Sequence, residues 1–146
     1  AHAGANLLRD YLATRGAGFG PEVRRRILLG TYVLSSGYYD AYYGTAVAAR
    51  ERIRAIFAEA FTTVDVVATP TAPTPAWRIG EKEDPLSVYL ADIFTVTANI
   101  AGTPAISIPS GKTKSGLPLG LQLMAAQAGE DTLFAAGKLF ESAEEK

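Results

Sequence analysis

The chain has 146 residues, 48% of them hydrophobic and 10% aromatic, a formal net charge of −1 and no cysteine. This suits one domain or a piece of a larger one and excludes disorder, disulfides, thiol catalysis and Cys-ligated metals. The near-neutral charge argues against a dedicated nucleic-acid binder, and the single histidine, His2, sits at the terminus, so neither a Ser-His-Asp site nor a zinc site is expected. No run approaches the roughly 18 apolar residues of a membrane span, and no basic-then-apolar signal opens the chain, so a cytoplasmic protein is the expectation. A first residue of Ala1 rather than Met points to a processed start or a piece of a longer chain.

Residues 5–14 predict a helix with Leu7, Leu8, Tyr11 and Leu12 on one side, followed by a flexible break at Gly16, Gly18 and Gly20. Pro21 opens a second helix, predicted to run to Tyr43, with Glu22 in its favourable first turn. Its apolar stripe is Val23, Ile27, Gly30, Val33 and Leu34. Residues 45–62 predict a third amphipathic helix, with Ile53, Ile56, Phe57, Ala60 and Phe61 inward. Val64–Thr69 reads as a buried strand stopped by Pro70, and the proline-rich 70–75 stretch as a stiff loop.

The 84–100 segment predicts one capped helix, with Asp84 as N-cap and Pro85 in the first helical position. It is apolar nearly all round, through Leu86, Val88, Tyr89, Leu90, Ile93, Phe94 and Val96, and so should be buried. A Gly-Thr-Pro turn then leads to a strand over 104–109, an exposed turn over 111–116 and a strand over 117–124. Residues 131–144 close the chain as a helix with Leu133, Phe134, Ala136, Leu139 and Phe140 available to the sheet. The order predicts an α/β fold with a few-stranded mixed sheet edge covered by helices.

Two charges stand out on these apolar helices. Asp92 falls between Val88 and Val96 on the helical wheel, where a carboxylate needs a donor or a cation. The triplet Arg24, Arg25 and Arg26 spreads over about 200° of helix. Arg25 faces away from the stripe, whereas Arg26 lies beside it, which predicts a partly buried guanidinium with an anionic partner. Arg26 and Asp92 could hold the carboxylate and ammonium of a free amino acid, or could be tied up in structural bridges. Ser35, Ser36, Ser107 and Ser110 lack a histidine base, and the lysines (Lys82, Lys112, Lys114, Lys138 and Lys146) fall in turns or near an end, so no Ser-Lys site is expected. Gly111-Lys112-Thr113 lacks the glycine spacing of a phosphate loop.

The segments FGPEVRRRILLGTYVLSSGYYDAYY (19–43), VDVVATPTAPTPA (64–76), DPLSVYLADIFTVTANIAGTPAISIPSG (84–111) and GLPLGLQLM (116–124) resemble the C-terminal part of the amidase signature family. The GTYVLSSGYYDAYY and YLADIFT stretches are most similar to its tRNA-dependent amidotransferase branch. Residues 18–146 carry the likeness to an amidase-signature domain; residues 1–17 form a poorly matched helical segment.

The resemblance implies a large mixed sheet wrapped by helices and a Ser-cisSer-Lys triad that releases ammonia from glutamine. None of that signature is in this sequence, so the chain alone is expected to be inactive and to hold no catalytic residue, metal or cofactor. It further implies that Arg26 holds the glutamine carboxylate, with Arg25 its rival, and that Asp92 holds the amino group. The implied partners are the B and C subunits of the amidotransferase, with glutamine as substrate and Glu-tRNA(Gln) or Asp-tRNA(Asn) reached through the complex. The resemblance also implies that ATP and magnesium are used by the partner subunit and not by this chain. Two other readings remain open: a non-catalytic relative that binds a ligand or a protein, and a fragment of a small-amide amidase.

Overall fold

The computed structural model describes residues 6–35, 38–81 and 84–144. Expectations resting on His2, Ser36, Gly37, Lys82 and Lys146 lie outside the described residues. The chain forms two compact units, residues 1–48 and 49–146.

The first unit is helical. Helix α1 (Leu7–Gly18) begins where the Asn6 side chain accepts the Arg9 amide at 2.9 Å, an N-cap bond. It continues through Gly16 to Gly18, so the expected glycine break narrows to Phe19 and Gly20. Glycine weakens a helix without ending it. The Arg15 guanidinium lies 4.2 Å from the Tyr11 ring centroid and 5.4 Å from that of Phe19, which holds the last turn. Helix α2 (Pro21–Val33) opens on its proline as expected, and Arg24 donates to the Gly16 carbonyl.

Helix α2 stops at Val33, where one helix to Tyr43 was expected. Ser35 supplies the physical reason: its amide and its hydroxyl both take the Tyr32 carbonyl, at 3.0 and 2.6 Å, and so compete with the helical ladder. A one-turn π-helix (Tyr39–Gly44) follows and leads into α3 (Thr45–Ala60). The rings of Tyr32 and Tyr38 pack at a tilt of 35° with centroids 4.4 Å apart, and those of Tyr39 and Tyr43 at 32° and 4.9 Å. A hydrogen bond with Tyr38, aided by desolvation, raises the Tyr32 pKa above its ordinary 10.0. None of the described residues of this unit is buried. The α2 stripe is present, yet Val23 and Ile27 remain 45% and 41% exposed.

The second unit holds the rest of α3 and a three-stranded sheet of β1 (Val66–Pro70), β2 (Ala105–Lys112) and β3 (Pro118–Ala125), in the order β1-β3-β2. Both pairings are antiparallel, where a mixed sheet was expected. The short 113–117 connection permits only an antiparallel neighbour for β2, since a parallel one needs a long crossover. β2 runs further than expected because an irregularity between Pro109 and Lys112 lets Lys112 pair with Pro118. Gly111, at φ 99°, supplies the left-handed residue this bulge requires.

Alternation along β3 sends Leu121, Leu123 and Ala125 to one face and Gln122 and Met124 to the other. The first face meets α6 (Glu130–Glu144) in a core of Ile108, Leu123, Ala125 and Leu133, flanked by Val66, Ile106, Leu121, Ala136 and Phe140. The α6 residues that pack are Leu133, Ala136, Gly137 and Phe140, at the i, i+3, i+4, i+7 spacing of one helical face. Phe134 and Leu139, expected on that face, are 58% and 74% exposed. Gly137 replaces them: a Cβ there would lie 3.1 Å from Ile106 Cδ1, so the glycine sets how closely helix and sheet approach.

The expected 84–100 helix is two helices, α4 (Pro85–Leu90) and α5 (Ile93–Ala101). Ala91 and Asp92 donate to carbonyls three residues back, which tightens and ends α4. Gly102, at φ 72°, closes α5 by donating to Ala98 at 2.9 Å. Asp84 caps α4 as expected, accepting the Ser87 amide at 2.9 Å and its hydroxyl at 3.0 Å. These bonds, the amide first, hold the Asp84 pKa below its ordinary 3.8. A depressed carboxylate stabilises the fold above its unfolded pKa and loses that contribution as pH falls through the folded value. The Ser87 amide resonance should therefore titrate below pH 3.8, and Asp84→Asn should abolish that titration; a Ser87 transition at or above the ordinary value would refute the cap.

Candidate functional site

Arg26 lies on α2 in the first unit and Asp92 between α4 and α5 in the second. Glu22 sits three and four residues before Arg25 and Arg26, so one carboxylate meets both guanidinium groups. Its Oε1 accepts from Arg26 Nε at 2.8 Å and its Oε2 from Arg25 Nε at 3.0 Å and from Arg25 Nη2. The expected anionic partner of Arg26 is thus Glu22. The expected burial is not found: the Arg26 side chain is 63% exposed, more than the 52% of Arg25. A helical wheel ranks faces by composition, and composition marks an inner face only where another layer covers it.

Asp92 was expected to be enclosed by a continuous apolar helix and is instead exposed, in the N-cap position of α5. Its backbone is firmly held: its amide donates to Tyr89 at 3.2 Å, and its carbonyl accepts from the Val96 amide at 2.8 Å and the Thr95 hydroxyl at 3.2 Å. The carboxylate, however, caps nothing. At φ −97° and ψ 8° the residue departs from the extended conformation in which an N-cap side chain meets the helix amides. An acidic side chain therefore stands at the positive end of α5 with its oxygens unused by the helix.

Sequence reading passed over Gln122, which the structure buries to 3% exposure at the centre of the sheet. Its carboxamide nitrogen donates to Thr69 Oγ1 on β1 at 3.1 Å and to the Phe94 carbonyl in the first turn of α5 at 3.2 Å. A carbonyl can only accept, which fixes the orientation of the amide. The available signal was a lone polar residue between Leu121 and Leu123 in an apolar strand.

Ser107 bonds to the Thr71 hydroxyl at 2.7 Å, a partner that cannot serve as a base. The pair sits above Gly120, beside a cavity of about 830 Å³ lined by the 68–77 segment and the facing parts of β2 and β3. A Cβ at Gly120 would lie 2.7 Å from Thr71 Oγ1 and 2.9 Å from Ser107 Oγ. Gly120→Ala should therefore break the pair and destabilise the chain by about 1–3 kcal/mol in chemical denaturation. An unchanged midpoint would refute this packing.

No helix among the described residues is long and apolar enough to cross a membrane. The fold, an antiparallel three-stranded sheet between helices, has known counterparts. The sequence profile of the Amidase family matches residues 2–134, and the chain belongs to that family. It is 55% identical over 139 residues to the A subunit of glutamyl-tRNA(Gln) amidotransferase from Maricaulis maris (strain MCS10), covering 94% of this chain and 28% of the relative. The crystal structure of the A subunit of glutamyl-tRNA(Gln) amidotransferase from Thermotoga maritima superposes with a TM-score of 0.65 at 46% identity, over 84% of this chain and 27% of that one. A crystal structure of an amidase superposes with a TM-score of 0.73 at 26% identity, over 92% of this chain and 31% of that one. The chain thus spans less than a third of the length of these relatives.

Proposed function

We propose that this chain is part of the glutaminase (A-type) component of a tRNA-dependent amidotransferase and supplies one wall of its glutamine pocket. The observation that carries the reading is the 55% identity to such a component across 94% of the chain, against 26% to the amidase. In this reading Arg26 holds the α-carboxylate of glutamine and Asp92 its α-ammonium. A planar guanidinium suits a carboxylate through two parallel bonds. An exposed carboxylate on a fixed backbone suits an ammonium, which needs an acceptor that the helix has not already taken.

The nucleophilic serine and its lysine come from residues outside this sequence. The two charges here contribute orientation: with both ends of the amino acid held, the side-chain amide is placed against the nucleophile without a search over rotations. The released ammonia serves amidation of Glu-tRNA(Gln) or Asp-tRNA(Asn) in a cytoplasmic complex with the B and C subunits, where the partner binds ATP and magnesium.

Substrate choice tests the reading. A full-length protein carrying this sequence, assembled in its complex, should hydrolyse glutamine with a far higher kcat/KM than a simple aliphatic amide, and the isolated 146-residue chain should release no ammonia. Preference for the simple amide would favour a general amidase. Turnover by the isolated chain would show that the nucleophile lies within it.

A further inference from the structure

We infer that Gln122 is a positioning residue that sets the place of Asp92 through the first turn of α5; this rests on the reading of Asp92 as a substrate contact. Gln122 lies on β3, the central strand, and its side chain is almost completely buried. Burying a carboxamide on the face it shares with Met124, opposite Leu121 and Leu123, is unfavourable unless its donors are met, and a similarly sized apolar side chain would fill the same space without that demand. Here the amide nitrogen meets Thr69 on β1 and the Phe94 carbonyl on α5, so one side chain links two strands and a helix.

The helix end of this link lies beside the proposed contact. Phe94 is two residues after Asp92, within the same turn. From Asp92 the backbone is held on both sides, by its bonds to Tyr89 and Val96. A bond to the Phe94 carbonyl therefore fixes where the Asp92 Cα stands relative to the sheet. The Asp92 carboxylate makes no bond to the helix amides, so nothing in the cap itself fixes its height above the sheet. Gln122 supplies that anchor from below, without touching the ligand.

The test uses the full-length protein in its amidotransferase complex. Gln122→Met keeps the volume and removes both donated bonds. It should raise the glutamine KM roughly tenfold, while amidation driven by free ammonia and the kcat at saturating glutamine stay near wild type. A merely structural role would lower both activities together with the amount of folded complex. Combining it with Asp92→Asn separates the possibilities. If Gln122 acts through Asp92, the double variant has the KM of Asp92→Asn alone. Full additivity of the two effects would overturn the positioning role and leave Asp92 as a contact. An Asp92→Asn variant with an unchanged KM would overturn the Asp92 reading, and this inference with it. Should Gln122→Met fail to assemble, Thr69→Val removes one of the two acceptors and takes its place. Thr69→Val should raise the KM severalfold, again without effect in the Asp92→Asn background, and an unchanged KM would overturn the inference.

Discussion

Asp92→Asn in the full-length protein is expected to raise the KM for glutamine by about 30- to 150-fold. The figure is the loss of one charge-assisted bond to an ammonium, roughly 2–3 kcal/mol. Asparagine keeps the shape and an acceptor oxygen but loses the charge. Amidation driven by free ammonia bypasses the glutamine pocket and should stay within about twofold. The thermal midpoint should also hold, because the Asp92 carboxylate does not cap α5 and asparagine is an equally good N-cap residue. Equal losses with glutamine and ammonia would remove Asp92 from the pocket. Arg26→Lys tests the other proposed contact: it retains the charge, loses the planar fork and, if Arg26 holds the glutamine carboxylate, should raise the same KM by roughly tenfold.

Leu133→Ala carries the largest expected effect on stability. Leu133 is 1% exposed and joins Ile108, Leu123 and Ala125 in the core between α6 and the sheet. Truncating a leucine in such a site removes its burial and leaves a cavity, at a cost of about 2–5 kcal/mol. For a unit of this size each kcal/mol shifts the midpoint by roughly 4–8 °C, so the fall should reach about 10 °C or more in a thermal melt. Leu139→Ala and Phe134→Ala, both off the packed face of α6 and exposed, should each change stability by less than about 1 kcal/mol. A reversed order would place α6 on the sheet through its other face.

Much of this was legible in the residues. Asp84 before Pro85, Pro21 at a helix start and the Gly102-Thr103-Pro104 turn each act within one turn, and each lies where the structure has it, whereas the strand expected over 64–69 and stopped by Pro70 runs over Val66–Pro70, with Pro70 paired to Leu121 at its end. The GLPLGLQLM and YLADIFT stretches pointed to the Amidase family, which the comparisons bear out. The break at Asp92 was missed because apolar periodicity runs through it. The rule applied at Asp84, an aspartate standing before an apolar run, also fits Asp92 before Ile93 and would have found it.

What the sequence by itself determined is therefore local: the prolines and caps that open helices, the turns that follow them, and which family the chain belongs to. Only the tertiary structure decided which faces are covered. Leu133 is sealed while Leu139 is wet, although both are leucines on one helix, because the sheet lies on one side. Gly137 matters for the side chain it lacks, and Gln122 for two partners that are 53 and 28 residues away in sequence. Arg26 lies beside an apolar stripe and is nonetheless exposed. Burial and long-range hydrogen bonds depend on what the rest of the chain brings alongside, and no periodicity within a single element contains that information.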